Sequence, residues 1–284
     1  MKPLFEISLA QWSLHRAFFE GAIDALDFAH TAKNDFGLDA VEYVNVFFQD
    51  RAGDFAYLRE LKTRADDLGV RSLLIMVDNE GQLADVDDAA RRRAVEQHFK
   101  WIAAAGYLGC HSIRVNAGGG GSAEDQAARA AESLVRLAEM GADYGVDVIV
   151  ENHGGRSSDG AWLADVMRRA DDERVGTLPD FGNFRIEGET WYDRYQGVGE
   201  LMPFAKAVSA KSHAFDDQGN ETGTDFRKML RIVLAAGYRG YVGVEYEGSA
   251  HAEPEGVRLT RDLLLRVRDE LATEFDVTDE EGPR

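Results

Sequence analysis

The chain has 284 residues, with 32 Lys and Arg against 51 Asp and Glu, a formal charge of −19 at neutral pH. That excess of acid argues against a binder of duplex DNA or of an anionic membrane surface, because both need a basic face. Hydrophobic residues make up 44%, near the globular average, so a sizeable core can form. Cys110 stands alone. It excludes an intramolecular disulfide and a cysteine zinc cluster, and it reads as a small packed residue. Glu6 interrupts the first apolar stretch, which reads as a strand start rather than a signal peptide. No apolar run approaches the ~18 residues of a membrane span. A soluble, cytoplasmic protein is expected.

In chain order, strands are predicted at 4–9, 40–45, 72–77, 112–116, 147–152, 176–180, 208–213 and 241–246. Helical patterns lie between them at 22–36, 53–68, 88–105, 123–144, 159–171, 191–206, 224–236 and 254–273. In 123–144, Ala127, Ala131, Leu134 and Ala138 recur near helical spacing, and Ser122 with Asp125 resembles a capping box. Gly37, Gly69, Gly106, Gly145 and Gly237 are placed as helix C-caps. Eight β-then-α units in this length give the α/β pattern of a single-domain (β/α)8 TIM barrel, typically ~250 residues. The barrel is assigned to 1–273 and an acidic tail to 274–284. A doubly wound open sheet is the alternative. Its Gly-rich first turn is missing here, where Ala10-Gln11-Trp12-Ser13 follows the first strand.

Barrel chemistry collects at the C-terminal ends of strands. The last four predicted strands end on Glu151-Asn152-His153, Asp180-Phe181-Gly182-Asn183, Lys211-Ser212-His213 and Glu245-Tyr246-Glu247. One polar strand end is unremarkable and reads equally as a solvated rim residue. Glu151, Asp180, His213 and Glu245, however, recur at intervals of 29, 33 and 32 residues, one βα unit each. Three carboxylates crowded at one mouth repel one another unless a cation stands between them. Three oxygen donors and one imidazole suit one divalent Mn, Mg, Co or Fe ion better than zinc.

The segments VIVENH (148–153), LPDFGN (178–183), AKSHAF (210–215) and VGVEYEG (242–248) resemble the xylose isomerase-like barrels. That superfamily holds sugar isomerases, sugar 3-epimerases, inosose dehydratases and the endonuclease IV branch. The resemblance runs from the first strand to the last helix. It implies that Glu151, Asp180, His213 and Glu245 bind one divalent metal, with the two glutamates on either side of the substrate. Many members carry His three residues after the Asp; here that position is Asn183, which cannot carry a proton at neutral pH.

The implied reaction is isomerisation or epimerisation of a sugar or keto-polyol. A carboxylate takes the proton beside a carbonyl, a metal-held enediolate forms, and a second group returns the proton. Glu151 and Glu245 are the candidates for the two proton transfers. His153, Asn183, Lys211, Arg114, Asn116, Glu42 and Trp12 are candidate substrate contacts. Lys211 shares the inward face with His213 and is suited to an oxyanion, or it balances the acidic mouth. Arg114 reads equally as a structural partner of Glu42. Trp12, His15, Phe47, Phe48, Trp191 and Tyr195 are placed in loops near the mouth, and the glycine run 118–121 reads as a flexible loop. The alternatives are a lyase of the same superfamily, acting on keto-inositols or 3-keto-sugars, a distant endonuclease IV-like enzyme, and a non-catalytic sugar-binding barrel. Expected partners are a small sugar or polyol, with no nucleic acid and no membrane. A homo-oligomer is left open.

Overall fold

The structure is a computed structural model that describes residues 3–275. Most of the predicted acidic tail, 276–284, lies outside the described residues. Among the described residues ten strands run in chain order: β1 (Glu6–Ala10), β2 (Ala40–Val44), β3 (Arg71–Met76), β4 (Ser112–Val115), β5 (Asp147–Glu151), β6 (Val175–Leu178), β7 (Arg185–Glu187), β8 (Thr190–Trp191), β9 (Val208–Ser212) and β10 (Tyr241–Tyr246). Eight of them form one parallel sheet in the order β6-β5-β4-β3-β2-β1-β10-β9. β7 and β8 make a separate antiparallel hairpin that the sequence pattern did not predict.

The sheet curls until β6 meets β9. There the join consists of isolated parallel bridges, Thr177 to Ala205 and Asp180 to Ser209. Pro179 has no N–H to give to a ladder, and β6 ends at Leu178, short of the predicted 180. The Pro179 carbonyl still accepts from the Ser209 N–H at 3.0 Å, and the Phe181 N–H donates to the Ser209 carbonyl at 3.1 Å. The (β/α)8 barrel is therefore completed through a seam of separate contacts rather than a continuous ladder.

Helices alternate with the strands: α1 (His15–Phe19), α2 (Phe28–Phe36), α3 (Phe55–Asp67), α4 (Asp88–Leu108), α5 (Ala123–Tyr144), α6 (Gly160–Ala170), α7 (Arg194–Leu201), α8 (Phe226–Ala235) and α9 (Glu253–Phe275). The side chains of Asp54, Asp87, Ser122, Asp159, Asp193 and Asp225 accept backbone N–H groups at the starts of α3 to α8. Part of the acid excess thus satisfies helix N-termini, where negative charge is favourable. Gly37 and Gly145 are left-handed C-caps, as expected. Gly106 is not: α4 runs on to Leu108 and Gly109 is its cap. Gly106 sits inside the helix, where an added Cβ would lie 3.0 Å from the Tyr144 Cβ, so its role is close packing of α4 on α5.

The barrel interior is filled by Ala10, Val44, Leu74, Met76, Ile149, Leu178 and Ala207. A larger layer between strands and helices includes Phe5, Leu9, Phe28, Tyr43, Trp101 and Leu134. Phe48, expected near the mouth, belongs to this outer layer and packs edge-on to Trp101. Among the described residues, no helix is long and apolar enough to cross a membrane.

The glycine run after β4 is pinned rather than free. Gly119 bridges to Ala84, and Arg129 donates to the carbonyls of Ala84 and Gly120. A Cβ on Gly119 would lie 2.1 Å from the Ala84 carbonyl oxygen. Gly119→Ala must push these two backbones apart. In urea unfolding it should lower stability by about 1–3 kcal/mol, the usual cost of overpacking; an unchanged midpoint would contradict the close approach.

Candidate active site

Glu151 closes β5, Asp180 follows Pro179 beyond β6, and Glu245 lies in β10. All three side chains are buried, and one carboxylate oxygen of each lies within 4.8 Å of the others. Such a group could hold a metal ion. Hydrogen bonds aim each carboxylate. Asp180 Oδ1 accepts the backbone N–H groups of Gly182 and Asn183, both at 2.7 Å. Asn183 Nδ2 donates to Glu151 Oε1 at 2.9 Å, and Ser209 Oγ to Glu245 Oε2 at 2.6 Å. Asn152 stitches the two strand ends together, accepting from the Asp180 N–H and donating to the carbonyls of Asp180 and Asn183.

Two buried cations face these acids. Lys211 in β9 is in register with Glu245 of β10. Its Nζ lies 3.3 Å from Glu245 Oε1, 3.4 Å from Glu247 Oε1 and 3.8 Å from Asp180 Oδ2. Arg114 in β4 places Nε 2.9 Å from Glu151 Oε2 and donates from Nη1 to Asp78 Oδ1 at 2.7 Å. Asn116 donates to the same Asp78 oxygen at 2.8 Å.

These contacts split the carboxylates. Burial pushes Glu151 up to about 7 against the pull of Arg114, and Glu245 adds to the rise. Burial likewise pushes Asp180 up to about 7 against Lys211. Burial also opposes the charge on Glu245, but the Lys211 ammonium and the Ser209 hydroxyl outweigh it and hold the group below its ordinary value. Asp78, despite burial, is held at about 2 by Arg114. The surroundings thus favour the charged form of Glu245 and oppose that of Glu151, the kind of split that separates a base from an acid.

His213, expected as the fourth ligand, stands outside this group. β9 ends at Ser212. The Glu221 carboxylate then accepts the N–H groups of His213 and Ala214 at 3.3 and 3.4 Å, which breaks the strand alternation. The His213 side chain is 51% exposed, and its Nε2 lies 3.9 Å from Glu247 Oε2. The residue that β9 turns inward is Lys211. The four-ligand centre therefore does not fit this arrangement: its nitrogen donor is outside, and an ammonium stands among the acids.

Glu42 is also misplaced by the sequence pattern. It does not end its strand but sits in the middle of β2, buried and bonded to Ser8 Oγ at 2.6 Å. It lines a cavity of about 220 Å³ with Leu73, His111, Tyr238 and Tyr241, at the strand starts and away from the mouth. Arg114 pairs closely with Asp78 and Glu151. His153 is exposed and lines a mouth cavity of about 470 Å³ together with Asn116, Gly118–Gly121, Arg156 and Glu187. Crowding of its ring, with the cations of Arg114 and Lys211, lowers its pKa. Trp12 stacks on His15 at 5.0 Å and lies 5.9 Å from Phe47, packing on the barrel interior. Trp191 is exposed on β8, and Tyr195 lies under Lys228 in the helical layer.

Sequence reasoning missed Asp78, Ser209 and Glu247. Two-residue alternation from Glu245 and Lys211 could have found the latter two. Asp78 follows β3 without a motif, and its role shows only through Arg114.

This geometry can be set beside known proteins. The description xylose isomerase-like TIM barrel matches residues 30–266. The chain belongs to that family. A segment of 68 residues is 37% identical to the C-glycoside deglycosidase alpha subunit of Arthrobacter globiformis, covering 24% of this chain and 17% of that protein's length. The solved structure of the 3-keto-D-glucoside 4-epimerase YcjR from E. coli is similar with TM-score 0.70 and 18% identity, over 92% of this chain and 99% of that one. An L-ribulose 3-epimerase is similar with TM-score 0.69 and 17% identity, over 98% and 100%. At these identities the two structural likenesses establish the barrel and its topology.

Glu42 offers a test of the buried charge. Burial raises it from 4.5 to about 7, so the fold favours its neutral form. That stability is complete below about 4.5 and is lost as pH rises through about 7. Glu42→Gln, which cannot ionise, should be more stable than the wild type above pH 7 by up to ~3 kcal/mol. The difference should fade toward pH 4.5 in denaturant titrations across this range.

Proposed function

We propose that this barrel is a sugar or keto-polyol isomerase or epimerase that works by proton abstraction beside a carbonyl. One observation carries the reading. Two buried glutamates from separate strands converge at the C-terminal end of the barrel, in surroundings that favour the charged form of Glu245 and oppose that of Glu151. Glu245 takes the proton. The C–H electron pair becomes a C=C bond, and the carbonyl pair moves onto oxygen as an enediolate. Glu151 returns a proton, to the opposite face for an epimer or to the neighbouring carbon for an isomer. Asn183 and Arg114 hold Glu151 in place, and Ser209 holds Glu245. His153 and Asn116, on the wall of the mouth cavity, contact substrate oxygens. The similar proteins, a 3-keto-D-glucoside 4-epimerase and a C-glycoside deglycosidase subunit, support keto-glycosides as the first substrates to try.

A second reading keeps a divalent Mn, Mg, Co or Fe ion among Glu151, Asp180 and Glu245. It is favoured by Asp180 Oδ2, which is buried without a hydrogen-bond partner. The lyase alternative shares the first proton transfer and differs in losing water or an aglycone.

Incubation with ketoses, keto-inositols and 3-keto-glycosides in deuterium oxide tests the function. Deuterium should wash into the carbon beside the carbonyl, and product analysis separates epimer, isomer and eliminated fragment. No exchange with any of them would sink the reading. Glu245→Gln should lower kcat by roughly 10²–10⁴-fold with a smaller change in KM, since an amide cannot take the proton. His153→Ala should lower kcat/KM while the thermal midpoint stays put. Near-normal turnover of either variant returns that residue to a structural role.

A further inference from the structure

We infer that Lys211 is the cation of this site: its ammonium stands in for a divalent ion among the acids and receives the substrate's carbonyl oxygen. The inference rests on the proton-transfer reading above and names the group that makes the enediolate stable.

Three observations meet at Lys211. First, register places it opposite Glu245, at the height of the triad, and it is 2% exposed. Such a buried ammonium persists where acids surround it. Second, its nearest acceptors come from both sides: Asp180 across the barrel seam, Glu245 from the adjacent strand and Glu247 just after it. Two of the three triad carboxylates thus already share a positive charge. Third, the one imidazole expected to complete a metal centre is turned out by Glu221. The donor set left to an ion is carboxylate alone, with an ammonium beside it.

The distances leave a task for the ammonium. Tight charge-assisted N–H···O bonds run at about 2.7–2.9 Å. The three contacts of Lys211 lie at 3.3, 3.4 and 3.8 Å. All three are long, the one to Glu247 being a stretched hydrogen bond, so a carbonyl oxygen entering from the mouth can take one N–H. As the C–H proton passes to Glu245, the growing charge on that oxygen is met by a group already oriented by carboxylates, in a site screened from water. No proton need leave Lys211; it donates a hydrogen bond before and after the transfer. Glu247, on the outer side of Lys211, positions it.

Manganese binding decides the matter without reference to activity. The chelator-treated wild-type protein is titrated with Mn²⁺ and the free-ion signal is followed by electron paramagnetic resonance. The expected result is no stoichiometric binding, with Lys211→Ala binding Mn²⁺ at least about tenfold more tightly than the wild type, because the carboxylates lose their resident cation. One tightly held Mn²⁺ per wild-type chain, lost in Asp180→Asn, would overturn the inference and favour the three-carboxylate metal site. The wild-type titration stands by itself should Lys211→Ala not fold. With a substrate that exchanges in deuterium oxide, chelator-treated wild type should keep its wash-in rate, whereas Lys211→Met should lose at least about 100-fold. Equal rates in the two would also overturn it. If no substrate exchanges, the functional reading fails while the Mn²⁺ titration still answers for Lys211.

Discussion

Burial of carboxylates inside the barrel is the constraint on which the rest of the site depends. Glu42, Glu151, Asp180 and Glu245 all lie inside the ring of strands, almost out of reach of water. Removing an ionised group from water costs several kcal/mol unless a partner charge and hydrogen bonds replace the solvent. Two cations, Arg114 and Lys211, are buried among the four acids. The shortfall is met unevenly: Glu245 has the closest approach to the ammonium and stays charged, while Glu42, Glu151 and Asp180 are pushed toward neutrality. A set of chemically similar side chains is thereby divided into a base and potential acids by position alone.

The seam of the barrel contributes to this division. Pro179 ends β6, and the chain crosses to β9 through separate bridges. Asp180 and Lys211 come from the two sides of that join, so the acid and the ammonium meet where the ladder is least continuous. Rigidity is restored by side chains. Asn152 binds both strand-end segments, and Asp180 itself holds the backbone of the following turn. Asn183 is part of this scaffold through its bond to Glu151.

The mouth above is built on the same economy of backbone. Gly118–Gly121 and the 154–155 turn line a cavity whose polar groups include His153, Arg156 and Asn116. The β7–β8 hairpin adds Ile186 and Glu187 to its wall. After β1 and β2, Trp12 stacks on His15 and meets Phe47 at a tilt. Hydroxyl-bearing substrates suit the polar wall, and the aromatic cluster offers faces for C–H surfaces.

The order of the eight barrel strands and of α2 to α9 was legible in the sequence, because period-two and period-3.6 hydrophobic patterns and helix caps are local. Three of the four acids or bases in the predicted quartet were legible for the same reason: Glu151 and Glu245 are fixed inward by strand alternation, and Asp180 follows its strand in a short turn. The hairpin at 185–191 was not, since its two short strands have no apolar face of their own. Nor was the fate of His213 and Lys211. Alternation placed both inward, but only the folded chain brings the Glu221 carboxylate against the amides after Ser212 and turns the imidazole out. The separation of Glu42 from the mouth likewise depends on where β2 lies in the ring. Sequence by itself determined the order of the strands and that Glu151, Asp180 and Glu245 stand at or near their C-terminal ends. Which of them share a charge, and which cation they share it with, was decided by tertiary structure, because electrostatic interaction depends on distance across strands remote in the chain.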